Sequence, residues 1–110
     1  MNSQQLSNRA RDLQVRADSD RKEADRHNYK ANDYEKNGDE TRAEVERQTA
    51  NRLTEEADAY AAEAEQLHQT SLDMDVQAEA LEAEKAAVEA EYKSKIDDIE
   101  KKRERLTGGF

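Results

Sequence analysis

The sequence predicts an all-α protein, an antiparallel coiled-coil hairpin with a long second helix. Three observations lead there. Leu6, Ala10, Leu13, Ala17, Asp20, Ala24, His27, Ala31 and Tyr34 follow one another in alternating steps of four and three residues. The same rhythm restarts at Ala43 and runs through Ala50, Leu53, Ala57, Tyr60, Ala64, Leu67, Ser71, Met74, Ala78, Leu81, Lys85, Val88, Tyr92, Ile99 and Leu106. Between the two frames lies Lys36-Asn37-Gly38-Asp39-Glu40-Thr41, a turn signal at the single break in phase. Steps of three and four keep one stripe of a helix facing a partner.

Composition agrees with a rod of helices. Only 34% of the 110 residues are hydrophobic and 41% are charged, which is too little apolar material for a layered globular core. Disorder shares the signature of high charge and few aromatics. The sustained heptads, the absence of proline and the wealth of Ala, Glu, Lys, Arg and Gln favour helix instead.

Helix 1 is expected from about Ser3 to Lys36. Asn-Gly can adopt the left-handed backbone that ends a helix. Thr41-Arg42-Ala43-Glu44 fits a capping box, so helix 2 is expected to start near Thr41. A connection this short makes the helices antiparallel. If facing residues have numbers adding to 77, the seam pairs Tyr34 with Ala43, His27 with Ala50, Ala24 with Leu53, Ala17 with Tyr60, Leu13 with Ala64 and Ala10 with Leu67. Nearly every pair sets a large residue against alanine, which lets side chains interdigitate. Ala31–Glu46, Leu6–Ser71 and Asp20–Ala57 are the exceptions. Asp20 and Glu46 are read as register-fixing or solvent-reaching groups at some expense of stability.

Helix 1 covers helix 2 only to about Ser71. Beyond it the frame continues to Leu106, so helix 2 is expected to run unbroken to about that residue, roughly 100 Å at ~1.5 Å per residue. The alternative is a three-helix bundle with a turn near Thr70, where His68 to Asp73 gives a weak break signal without Gly or Pro. Residues 107–110 are read as a flexible tail, with Phe110 as a possible docking tag. The whole chain is taken as one domain.

The net charge of −9 points away from phosphate-mediated nucleic-acid binding. Its distribution is uneven. Residues 1–36 carry eight Lys/Arg and seven Asp/Glu; residues 37–74 carry three and ten; residues 75–92 carry one and six; residues 93–110 carry six and four. No run approaches the ~20 apolar residues of a membrane span. The N-terminus lacks the apolar core of a secretory signal, although its Ser, Asn and Gln content is compatible with signal-peptide-independent export. A cytoplasmic location is the expectation. Without cysteine there is neither disulfide nor thiolate metal site.

The search for chemistry finds little. Glu65-Gln66-Leu67-His68 has the Glu-x-x-His spacing of four-helix di-iron proteins, but Leu67 holds the seam and no second element exists. Asp18-Ser19-Asp20 and Asp73-Met74-Asp75 lack the later glycine and glutamate of a calcium loop. Gly38, Gly108 and Gly109 form no phosphate-cradling loop, and a rod supplies no concave pocket. No catalytic residue, cofactor or metal site is therefore assigned.

What remains is protein binding. The far half of helix 2 is expected to offer Met74, Leu81, Val88, Tyr92, Ile96, Ile99 and Leu106 as anchors to a second copy or to another helical protein. The role fits an adaptor, scaffold or chaperone-like subunit. Positions flanking the seam are acidic first (Asp75, Glu82, Glu84, Glu89, Glu91) and basic last (Arg103, Arg105), which favours an antiparallel homodimer. Two other roles are compatible: an acidic inhibitor acting by charge mimicry, and a structural subunit of a secretion or phage assembly.

Overall fold

A computed structural model describes residues 1–108. It consists of α1, Ser3–Lys36, and α2, Glu40–Leu106, joined by a three-residue turn. The chain is a helical hairpin. Because α2 runs 67 residues without a break, the three-helix bundle is excluded. The weak signal near Thr70 fails to stop the helix for a local reason. Thr70 turns its hydroxyl back to the Gln66 carbonyl at 3.0 Å, as Thr49 does to Val45 and Thr54 to Ala50. Hydroxyls satisfied in this way are tolerated inside helices.

Both ends of α1 are capped by short-range side-chain and backbone bonds. Asn2 accepts from the Gln5 amide at 2.8 Å, and Gln5 Oε1 accepts from the Asn2 amide at 2.9 Å, a reciprocal capping box. At the other end the Asp39 amide donates to Tyr34 O at 2.9 Å and the Gly38 amide to Glu35 O at 3.0 Å. That bond pair is a Schellman motif, and its left-handed residue is Gly38, at φ +80. Asn37 stays at φ −88, so only one of the two turn residues needs the left-handed region.

The expected Thr41–Glu44 capping box does not form. Asp39 takes that role, its Oδ1 accepting from the Arg42 amide at 3.1 Å and its carbonyl from the Ala43 amide at 3.1 Å. The Schellman turn delivers Asp39 directly to the cap position, and Asp is as good an N-cap as Thr or better. Thr41 is left inside the first turn. At the far end of α2, the Thr107 amide bonds Arg103 O and the Gly108 amide bonds Arg105 O. The docking role expected of Phe110 lies outside the described residues.

Residues 1–73 form one compact unit, the hairpin proper, and Met74 begins a second. Within the hairpin, the buried positions of α2 are Ala43, Ala50, Ala57, Ala64 and Ser71, one per heptad and every one small. α1 buries Ala10, Ala17, Ala24 and Ala31 at the same spacing, together with Leu6 and Leu13. The Ser3 and Ser71 hydroxyls lie 2.9 Å apart and 3.2 and 3.0 Å from each other's backbone carbonyls, so their two protons are shared among three contacts. A serine side chain is too short for this unless the helices lie at the near end of the ~8–10 Å packing range. Counting by sevens from that contact, Ala10 falls with Ala64, Ala17 with Ala57, Ala24 with Ala50 and Ala31 with Ala43. The seam is therefore a ladder of small residues.

The register read from sequence holds around Leu13, while the polar seam residues depart from it. Ala10, Leu13 and Ala64 share one buried cluster, with Tyr60 and Leu67 packed against it, as the large-against-alanine pairs require. Ser71, however, has Ser3 as its polar partner rather than only Leu6 as a neighbour. Pairing rules that match volume overlook a contact between two hydroxyls.

Candidate partner-binding surface

The hairpin seam holds half-buried ionisable side chains at Asp20, His27 and Glu46. His27 Nδ1 meets Glu46 Oε2 in a half-buried side-chain hydrogen bond. The sequence pattern set His27 against Ala50 and Glu46 against Ala31; instead the two polar groups find each other, one turn off. Two more ties cross the hairpin, Arg47 to Glu35, and Arg21 to Asp58 at 3.6 Å. Exposed pairs of this kind contribute little each.

Asp20 is less well served. Its Oδ2 is shut off from solvent without a hydrogen-bond partner. Burial, then the neighbouring Glu56 carboxylate, raise its pKa above the usual carboxylate value. Tyr60 donates its hydroxyl to Glu56 Oε1 at 3.1 Å. That bond, with the Glu56 charge and burial, raises the phenol's pKa, against an opposing pull from Arg16. A carboxyl held above its unfolded pKa favours the folded state when protonated. Its contribution is present in acid and is lost as pH rises through the raised value. Asp20→Asn is therefore expected to raise the melting temperature at neutral pH and to lose that advantage in acid. Thermal melts followed by circular dichroism on both sides of the carboxylate range (about pH 4) check it. A lower melting temperature for the variant at neutral pH would mean that Asp20 supports the pairing.

Glu65 and His68 line an open groove of the hairpin with Ser7, Ala10, Arg11, Gln14 and Ala64. Among the described residues, no three His, Asp or Glu side chains are gathered as a metal site would require. Among the described residues, no helix is long and apolar enough to cross a membrane.

The second unit is organised differently. From Asp75 to Leu106 every residue is exposed. Leu81 is 65% exposed, Val88 61%, Tyr92 67% and Ile99 64%, with Leu106 at 89% and Ile96 at 39%. Met74 alone of the seven expected anchors is half-buried. Val76, 65% exposed, is a further apolar side chain that the heptad reading missed, since it lies off the seam. Local support comes from i,i+4 ion pairs, Lys95 to Glu91 at 3.3 Å and Lys85 to Glu89 at 4.0 Å. Such pairs are worth about 0.2–0.5 kcal/mol each. The repeat that buries Ala43, Ala50, Ala57, Ala64 and Ser71 in the hairpin carries on in phase to Ala78, Lys85, Tyr92, Ile99 and Leu106. The same helical stripe is thus covered in one unit and open to solvent in the other.

These features define a coiled-coil hairpin with an exposed apolar stripe. The chain matches no family model, no curated protein and no solved structure.

Proposed function

We propose that this chain is a non-catalytic coiled-coil interaction module, an adaptor, scaffold or chaperone-like subunit that offers a helical seam to another helix. The observation that carries the reading is the exposed stripe of Leu81, Val88, Tyr92, Ile99 and Leu106 on a helix that remains unbroken to Leu106. A monomer leaves such a stripe in water only at a cost, because isolated helices draw little stability from propensity alone. A second helix laid in the seam removes it from water. The hairpin, with its own closed seam, acts as the folded base that starts α2.

Charge mimicry is the competing reading, supported by the exposed acidic stretch from Asp75 to Glu91. The two differ in what they need. Leu81→Asp with Ile99→Asp is expected to abolish association while leaving the hairpin's melting transition in place, measured by sedimentation and circular dichroism. Association that survives both changes but is lost when Glu82, Glu84, Glu89 and Glu91 become Gln would establish mimicry instead.

A further inference from the structure

We infer that the helix seated on this stripe is a second copy of the same segment, antiparallel, with facing residues whose numbers add to 180. The inference rests on the interaction-module reading and names its partner. Two repeats of seven run through the segment. One continues from the buried alanines of the hairpin to Ala78, Lys85, Tyr92, Ile99 and Leu106. The other continues from Leu53, Tyr60 and Leu67 to Met74, Leu81, Val88, Lys95 and Lys102.

Antiparallel seams set one repeat against the other. With numbers adding to 180, Met74 faces Leu106, Leu81 faces Ile99 and Val88 faces Tyr92. The two-fold axis doubles each pair, giving six apolar layers. The segment overlaps itself completely, from Met74 to Leu106. Slipping one heptad in either direction leaves four such layers. The remaining positions pair Ala78 with Lys102 and Lys85 with Lys95, whose long stems can lie along the seam while the ammonium groups reach water.

A parallel in-register pair has the same six large apolar layers and adds only Ala78 against Ala78, so charge decides the orientation. Residues 75–92 carry six acids and one base, and the parallel arrangement sets that stretch against itself, with Glu84 beside Glu89 of the other copy. The antiparallel arrangement sets residues 75–87, with four acids and one base, opposite residues 93–105, with six bases and four acids. Arg103 then comes beside Glu82 of the other copy. The exposed apolar stripe, its self-complementary spacing and its polarised charge together select a second copy over an unrelated helix.

The chain has no cysteine, so introduced thiols report the register without interference. Leu81→Cys and Ile99→Cys are made singly in the full-length chain, mixed and oxidised. Both sites are exposed, at 65% and 64%, so the substitutions remove no buried packing. The expected product is the mixed disulfide between position 81 of one chain and position 99 of the other, in several-fold excess over either self-linked species. Predominant self-linkage of both variants would overturn the antiparallel register and establish a parallel pair, leaving the interaction reading intact. No disulfide together with a monomer mass would overturn the second copy as occupant. Association that persists in the Leu81→Asp, Ile99→Asp chain would remove the underlying reading as well.

Discussion

Leu13→Ala is expected to lower the hairpin's stability by about 2–3 kcal/mol, which for a unit of this size is a fall of roughly 10–20 °C in melting temperature. Leu13 is 1% exposed and is the only large side chain that is fully buried among the described residues. Apart from Leu6, at 9% exposed, the rest of the seam is alanine, serine or half-buried residues. Ala10, Ala64, Tyr60 and Leu67 all close around this one side chain. Removing it leaves a gap that helices already held close together cannot fill by moving nearer. Leu13→Met, which keeps the volume, is expected to cost less than about 1.5 kcal/mol. Circular-dichroism melts of the two variants give the comparison. Equal melting temperatures would mean that the cluster is not the centre of the hairpin's stability.

The second large effect is the reverse operation. Ala17→Leu or Ala57→Leu is expected to destabilise the hairpin by about 1–3 kcal/mol, although each adds apolar surface. Both alanines are 0% exposed and fall at the same level of the small-residue ladder. A side chain three carbons longer must push the helices apart, and that also lengthens the paired Ser3–Ser71 bonds farther along the seam. Ala62→Leu, on the exposed face of the same helix, should stay within about ±0.5 kcal/mol. If Ala57→Leu were neutral or stabilising, the close approach of the helices would be refuted. An ordinary leucine-filled seam tolerates large residues at these positions, so the contrast between positions 57 and 62 separates the two kinds of packing.

Much of this was legible in the sequence because heptad spacing survives any change of side-chain size. The limits of α1 follow from Asn37-Gly38, since the Schellman turn needs its left-handed residue there. The continuity of α2 follows from a frame that never shifts between Ala43 and Tyr92. Three features were not legible. The cap passed from Thr41 to Asp39, because both residues can cap and only the geometry of the turn chooses between them. His27 and Glu46 are one turn off ideal facing positions and meet because long polar side chains reach along the seam. Ser3 and Ser71 pair through hydroxyls and backbone carbonyls, a contact that hydropathy does not register. A signal for the last existed in the sequence: Ser3, Ala10, Ala17, Ala24 and Ala31 share one heptad position, as do Ala43 to Ser71. Reading each position separately, instead of as large–small pairs, would have exposed a ladder of small residues and the close helix approach it permits.

For the candidate surface, spacing located the stripe but could not say whether it was covered. That depends on how far α1 reaches, and α1 ends its pairing at Ser3 with Ser71. From Asp75 onward each seam residue is open to solvent. The same heptad pattern therefore means a closed core in one half of α2 and a solvent-exposed stripe in the other.

The most direct measurement is amide hydrogen exchange along α2 as the protein is diluted from about 100 µM to about 1 µM. A seam filled by a second chain is protected by mass action, whereas a seam closed within one chain is not concentration-dependent. Protection of amides between Leu81 and Leu106 is expected to fall on dilution while that of Leu6 to Ser71 holds constant. Equally weak protection of residues 81–106 at both concentrations would contradict the account, since the exposed stripe would then have no second copy bound to it.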